Sequence, residues 1–342
     1  MSKKAFVSGI TGQDGAWLSS CLLEKGYKVY GGIRRNSNRN FDRLDSIGIK
    51  NKIEYVEFDL LDYSNIFNIV KEIEPDEFYN LAAQSFVATS FKQPISTYQV
   101  DGIAVGYILD ILKTISPKTK FYQASSSEMF GKVQKEFLPY NEKSPFHPRS
   151  PYGIAKLFAH WVTVNYRESY GMFCCSGILF NHESELRGPE FVTRKITMNA
   201  AKRYRKEKEV LELGNLDALR DWGYAPEYCE GMYKMMQQDN PDTYVLATGK
   251  AYKVRDFVES SFKHIEREIV WNGEGEKEEG RDKKTGELLV KINPKFYRPA
   301  EVDLLLGDYS KAKKAFGWEP KITIDKMAAR MIESDIDDLC GF

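Results

Sequence analysis

The chain predicts an α/β fold: a doubly wound parallel sheet with a smaller C-terminal lobe that binds substrate. Three observations carry that expectation. Short apolar runs alternate with longer helical patterns through about residue 180. Three glycines follow the first apolar run. After about Asn181 the rhythm becomes irregular and polar loops lengthen. Regular β-then-α alternation builds parallel sheets covered by helices on both faces.

Taken in order, residues 5–8 read as a first strand and 17–23 as a helix that Gly26 stops. Lys28–Ile33 and 53–58 read as the next strands, followed by helical spacing at 66–73 that ends before Pro75. Residues 77–81 and 120–124 are strands around a helical 100–112. Pro151–Tyr170 is a long helix and 173–179 another strand. The segment 273–287, rich in Gly, Glu and Lys, reads as a loop or short hairpin, the kind of addition that shapes a substrate site. The division expected is a nucleotide-binding domain at 1–180, to which about 210–250 returns, and a substrate lobe at 181–342.

The bulk numbers narrow the partners. Lys plus Arg equals Asp plus Glu at 49 each, so no general field draws nucleic acid or an anionic membrane. Hydrophobic residues make up 42% of the 342, enough for a core. No apolar stretch approaches the roughly 18 residues of a membrane span, and the N-terminus runs straight into the first strand without a signal-peptide pattern. The five cysteines, Cys21, Cys174, Cys175, Cys229 and Cys340, lack metal-site spacing. They read as reduced thiols of a cytoplasmic protein. With four histidines, no metal site is expected.

Gly9-Ile10-Thr11-Gly12-Gln13-Asp14-Gly15 lies between the first strand and first helix. The first glycine permits the sharp turn, the second lets a phosphate approach the backbone, and the third lets helix pack on strand. The helix amides are then free for a pyrophosphate, a Rossmann-type arrangement. At the end of the second strand, an acid would bond a ribose 2′-hydroxyl. Arg34-Arg35-Asn36-Ser37 offers guanidinium forks and a hydroxyl instead, which suit a 2′-phosphate, so the cofactor expected is NADP. Arg39 and Arg43 could serve the same phosphate or an oligomer contact.

Tyr152 and Lys156 stand four apart, on one face of the long helix. An ammonium there stabilises a phenolate and moves the tyrosine down from its ordinary pKa of about 10. Such a tyrosine can take a proton from a sugar hydroxyl. The strand end Ala124-Ser125-Ser126-Ser127-Glu128 precedes the pair by less than one α/β unit. A simple reductase needs no carboxylate at Glu128, although a serine followed by an acid is also a helix-capping pattern. His182 also reads as a hydrogen-bonded core histidine, and Trp222 and Tyr297 as packing residues.

These motifs resemble the extended short-chain dehydrogenase/reductase family. Asn80-Leu81-Ala82-Ala83-Gln84-Ser85, Gln123 to Gly131, Ser150 to Lys156, Phe180-Asn181-His182-Glu183-Ser184, Arg220-Asp221-Trp222-Gly223 and Tyr297 to Asp303 resemble its GDP-mannose 4,6-dehydratase branch, over nearly the whole chain. The resemblance implies that Gly9, Thr11, Gly12, Gln13, Asp14, Gly15, Arg34, Arg35, Asn36, Ser37, Asp59, Leu60, Leu81, Ala82, Ala83, Gln84, Ser85, Tyr152, Lys156, His182 and Arg187 line an NADP site. It assigns chemistry to Ser126, Glu128, Tyr152 and Lys156. Candidates for the GDP-sugar are Ser85, Ser126, Glu128, Asn181, Glu185, Lys195, Arg220, Arg281 and Tyr297. The implied reaction oxidises C4, removes the C5 hydrogen with loss of the C6 hydroxyl as water, and returns hydride to C6. A homodimer or homotetramer is implied as well.

Two positions depart from the family pattern. Ser126 stands where threonine is usual, and Glu185 where proline follows Asn-His-Glu-Ser. The missing methyl and a loop loosened by the loss of proline keep a GDP-D-glycero-D-manno-heptose, bulkier at C6, as an alternative substrate. A nucleotide-sugar epimerase would share Tyr152 and Lys156 without needing Glu128. A non-catalytic NADP-binding protein would not need the Tyr–Lys pair.

Overall fold

The computed structural model describes residues 2–35, 40–297, 302 and 304–340. Asn36, Ser37, Arg39, Arg298, Pro299, Ala300, Glu301 and Asp303, which the sequence singled out, lie outside them.

The first layer is built from β1 (Lys4–Ser8), α1 (Gln13–Glu24), β2 (Lys28–Ile33), α2 (Asp42–Ser46), β3 (Glu54–Glu57), α3 (Tyr63–Ile73) and β4 (Glu77–Asn80). It continues through α4 (Val87–Lys92), α5 (Pro94–Tyr98), α6 (Ala104–Ile115), β5 (Lys120–Ser126), α7 (Pro151–Tyr170) and β6 (Cys174–Leu179). Then follow β7 (Asn181–Glu183), α8 (Val192–Tyr204), β8 (Leu211–Leu213), β9 (Leu219–Arg220), β10 (Trp222–Tyr224), α9 (Ala225–Met236), β11 (Thr243–Leu246), β12 (Tyr252–Lys253) and α10 (Val254–His264). The last elements are β13 (Ile269–Asn272), β14 (Glu279–Asp282), β15 (Leu288–Ile292), α11 (Ser310–Phe316) and α12 (Ile324–Cys340).

Seven strands form one sheet in the order β11-β6-β5-β4-β1-β2-β3, and every pairing is parallel. The strands are apolar on both faces because helices cover both: Phe6, Phe78 and Phe121 pack under α3 and α6, while Val7, Tyr79 and Tyr122 lie in the opposite core with α1 and α9. Strand order reverses between β1 and β4, which opens a crevice at their carboxyl ends, where such sheets bind ligands. β11 joins the sheet edge after the chain has visited the second lobe.

That lobe packs α8, α10 and α12 against a four-stranded sheet, β13-β14-β15-β8. The segment 273–287, read from sequence as a loop or hairpin, contains β14 and two turns of a β meander. The helical stretch expected at 100–112 begins earlier, at Pro94, and passes through one π-helical turn at Gln99–Ile103. No helix among the described residues is long and apolar enough to cross a membrane.

Candidate active site

The site forms where β1, β4 and β5 end. Gly9 has φ of 70°, and a Cβ there would stand 2.8 Å from the Ala82 amide nitrogen; a Cβ on Gly15 would stand 2.3 Å from the Gly9 carbonyl oxygen. Gly12 opens α1 with no side chain capping it. The first-turn amides therefore face the crevice free of a side-chain acceptor, at the positive end of the helix dipole. This cradle fits a dinucleotide pyrophosphate. Arg34 and Arg35 are exposed past the end of β2, suited to a further phosphate. Asp59 is exposed and caps the next turn by accepting the Leu61 amide at 2.9 Å, while Leu60 is buried beside it.

A buried hydrogen-bond ladder crosses the three strand ends. Ser8 Oγ accepts the amides of Leu81 and Ala82 at 3.1 Å each and donates to Asn80 Oδ1 at 2.8 Å. Asn80 Nδ2 donates to Gln123 Oε1 at 2.9 Å, and Gln123 Nε2 to the Ala124 carbonyl at 3.1 Å. Lys156 Nζ donates to that same carbonyl at 3.0 Å. The ladder joins the glycine turn to the lysine through neutral groups, each satisfied, as buried polar groups must be. Ala83, Gln84 and Ser85 continue from it along the crevice.

Ser150 caps α7 through the Gly153 amide at 3.0 Å, and Pro151 supplies the first turn. The next residue, Tyr152, is 8% exposed. Its hydroxyl is hydrogen-bonded to Ser126 and lies in the field of Glu128. Ser126 Oγ also accepts the Glu128 amide at 3.2 Å, capping the single 3-10 turn Ser127–Met129. The capping pattern and the chemical pattern are thus the same residues. A Cβ on Gly153 would stand 2.8 Å from the Glu128 carbonyl oxygen, so glycine beside Tyr152 lets the Glu128 turn seat against α7. Ser126 and Glu128 are half-buried and Lys156 is 3% exposed.

The electrostatics correct one expectation. Burial and then the Asp101 carboxylate push the Tyr152 hydroxyl well above its ordinary pKa, and Ser126 and Arg187 only partly oppose them. Burial likewise lowers Lys156, with Asp101 and Asp14 opposing. The Lys156 ammonium sits 5.7 Å from the Tyr152 ring centroid and bonds a carbonyl, so in the protein alone it does not hold the phenol down.

His182 is buried and stacks on Tyr228 with centroids 4.6 Å apart. Its Nδ1 meets the Phe180 carbonyl at 2.7 Å and its Nε2 meets Asp14 at 2.9 Å. Burial opposes both charges, yet the pair wins: His182 is raised and Asp14 is brought down to about 2, with help from Gln13 and Arg187. Gln13 Nε2 donates to the His182 carbonyl and its Oε1 accepts from Ser184 Oγ, stapling β7 to the glycine turn. Arg43 donates to the carbonyls of Thr11 and Leu186 at 3.0 and 2.7 Å. Those bonds make it a clamp on the turn.

Glu185 corrects another expectation. Its carboxylate accepts the Tyr224 hydroxyl at 3.0 Å, and Arg330 donates to that hydroxyl at 3.2 Å. Leu186 N and Arg187 N close back on Ser184, and Arg187 pairs with Glu183 at 3.0 Å. The loop without proline is fastened by side chains, not loosened. Asn181 begins β7 beside Trp222. On α8, Lys195 stands 3.5 Å over the Phe296 ring, next to exposed Tyr297. Arg220 is buried and donates to the Val302 carbonyl at 2.6 Å. Arg281 pairs with Glu279 at 2.7 Å on the β14–β15 hairpin.

Sequence reading missed Asp101, which is buried with one oxygen on the Gln84 amide at 2.7 Å. A signal was present: Asp101 shares helical spacing with Ala104, Val105 and Ile108, an acid on an apolar face. Asp221 stands out in the sequence only as part of a motif. It gathers the amides of Thr248, Gly249 and Gly307 onto one carboxylate.

Comparison with known proteins agrees with this geometry. The family model described as GDP-mannose 4,6 dehydratase matches residues 6–331. A GDP-mannose 4,6 dehydratase of Drosophila melanogaster is 48% identical, covering 98% of this chain and 86% of the relative. A GDP-mannose 4,6-dehydratase of Sinorhizobium fredii is also 48% identical, over 99% of this chain and 98% of the relative. Among solved structures, the dTDP-glucose 4,6-dehydratase DesIV of Streptomyces venezuelae superposes with a TM-score of 0.83 at 16% identity, covering 99% and 98% of the two chains.

Proposed function

The chain belongs to the GDP-mannose 4,6-dehydratase family, and on that premise we propose that Ser126, Glu128, Tyr152 and Lys156 carry out the dehydration of GDP-mannose. The product is the GDP-4-keto-6-deoxy sugar, with water leaving from C6. The observation that carries the assignment is the seating of Glu128 against the first turn of α7, in the field of Tyr152.

NADP is the cofactor, and when bound it takes up hydride from the sugar and gives it back, so the reaction is redox-neutral. Gly9, Gly12 and the first-turn amides of α1 hold its pyrophosphate; Arg34 and Arg35 suit its 2′-phosphate. Tyr152 accepts the O4 proton, and Ser126 donates a hydrogen bond to the developing carbonyl oxygen. The 4-keto group acidifies C5. Glu128 takes the C5 proton and delivers it to the departing C6 hydroxyl, so water leaves uncharged. The proton held by Tyr152 returns at C5 at the end, which restores both groups. Lys195 and Arg220 supply cations toward the diphosphate.

The relatives reported above carry GDP-mannose in their names. The heptose alternative leaned on Ser126 and Glu185; the names of those relatives do not favour it, the Glu185 carboxylate accepts the Tyr224 hydroxyl, and it is not carried forward. Residues 1–180 hold mainly the cofactor and later residues the sugar nucleotide. The enzyme works as a homo-oligomer in the cytoplasm: Ile154, Phe158 and Trp161 on α7, with Ile103 and Tyr107, leave large apolar side chains exposed on one side, a face that a second copy would cover. Glutamate at Trp161 would then lower the molar mass seen by light scattering.

The test of function incubates purified protein with GDP-mannose and a catalytic amount of NADP. The sugar nucleotide should lose one water mass without net reduction of cofactor. An unchanged mass would put the epimerase in its place.

A further inference from the structure

Asp101 sits in the π-helical turn Gln99–Ile103 between α5 and α6. Such turns inside helices recur at functional sites, since they aim a side chain that regular spacing would misplace. Its side chain is 1% exposed. One oxygen accepts the Gln84 amide, and the other is buried without a hydrogen-bond partner. A half-bonded carboxylate in a dry interior is costly unless a charge offsets it.

The neighbouring element is α7. A Cβ on Gly102 would stand 3.4 Å from the Ala155 carbonyl oxygen, so the turn is applied to the stretch between Tyr152 and Lys156. The charged and titratable groups around it are few. α7 presents Lys156 and Tyr152; its next titratable group, His160, is bonded to Ser125 at 3.0 Å. α5 carries only Tyr98, which is half-buried; in α6 Tyr107 is exposed, and Asp110 and Lys113 pair with each other at 2.8 Å. The loop after β4 contributes the Gln84 amide. Asp14 bears on Lys156, and Glu128 and Arg187 bear on Tyr152.

We propose that Asp101 is the positioning residue of the Tyr152–Lys156 pair: its buried carboxylate is the counter-charge of the Lys156 ammonium, and its bond to Gln84 ties that charge to the loop that ends β4. The inference rests on the assignment of Tyr152 and Lys156 made above. Asp101 keeps Lys156 protonated against burial and restrains ionisation of Tyr152. Burial raises its own carboxyl to about 6, with Lys156 and the Gln84 amide opposing.

The test is the pH profile of kcat/KM for the holoenzyme and its Asp101→Asn variant, which keeps an acceptor for Gln84 but removes the charge. Without that charge both Tyr152 and Lys156 titrate lower. Both limbs of the bell should therefore move toward acid by about one pH unit. The two profiles should converge below about pH 6, where the wild-type carboxyl is itself neutral. Asp101→Ser should shift the bell the same way. A lower profile at an unmoved position would mean a packing role and overturn the proposal, as would failure of both variants to fold. Tyr152→Phe separates the two failures: if it stays active the catalytic assignment is wrong, and if it is dead while the Asp101→Asn bell is unmoved, only this inference falls.

Discussion

At the ends of β1, β4 and β5 the contacts are short, neutral and buried: Ser8, Asn80, Gln123 and the Ala124 carbonyl, all within 3.1 Å of one another in series. Around the second sheet the contacts are ionic. Arg203 pairs with Glu287 at 2.7 Å, Arg255 with Glu278 at 2.6 Å, Arg267 with Asp282 at 3.0 Å, and Arg194 with Asp335. Neutral ladders fix geometry with little dependence on salt, which suits a cofactor that must present one atom in one place. Ion pairs hold a lobe together with contacts that salt screens, in a chain whose net charge is zero.

The largest effects should come from removing chemistry at the neutral end. Tyr152→Phe should lower kcat by roughly 10²–10⁴-fold with little change in thermal stability. Glu128→Gln should lower dehydration by a similar factor while transfer of the C4 hydride to NADP, read as NADPH absorbance, survives, because oxidation does not need the carboxylate. A variant that lost both together would remove the separate roles. Next comes the ladder. Gln123→Leu strands Asn80 and loosens Lys156, and should cost about 1–3 kcal/mol in unfolding by denaturant, with a fall in kcat. If stability held and kcat fell, the ladder would be tuning chemistry alone.

These predictions separate what was legible in the sequence from what was not. The glycine turn, the Tyr–Lys spacing and the serine–glutamate strand end are local patterns, and the fold brings them to one crevice. The partners that hold them are not local. Asp101 needed an irregular helical turn, Arg43 reaches two carbonyls far apart in the chain, and Glu185 found Tyr224 and Arg330 across the lobe. The charge of Glu185 is legible locally but its anchor is not, so the loop without proline reads from sequence as loosened. The setting of the Tyr152 phenol is not local either: spacing reveals the lysine four residues on, but not the buried acid on another helix.

Smaller effects belong to pH and to the ionic lobe. Asp14 is depressed, so its contribution is present above 3.8 and is lost as pH falls toward about 2. His182 is raised, so its contribution is present below 6.5 and is lost as pH rises through its higher folded value. The difference in Tm between wild type and Asp14→Asn should therefore be widest between pH 3.8 and 6.5 and narrow on either side. A gap that kept widening above that window would show the pair is not what joins β7 to the glycine turn. Least of all, Lys283→Ala breaks an exposed pair with Glu268 and should change stability by less than about 1 kcal/mol. A larger loss would mean that the ionic lobe is held from its rim.

The most direct test of the account follows one hydrogen. GDP-mannose labelled with deuterium at C4 is converted by the wild-type enzyme with catalytic NADP, and the product is read by NMR. The account predicts deuterium at C6 of a sugar nucleotide that has lost water, and no such product from Glu128→Gln. Deuterium retained at C4, with the hydroxyl still on C6, would contradict it.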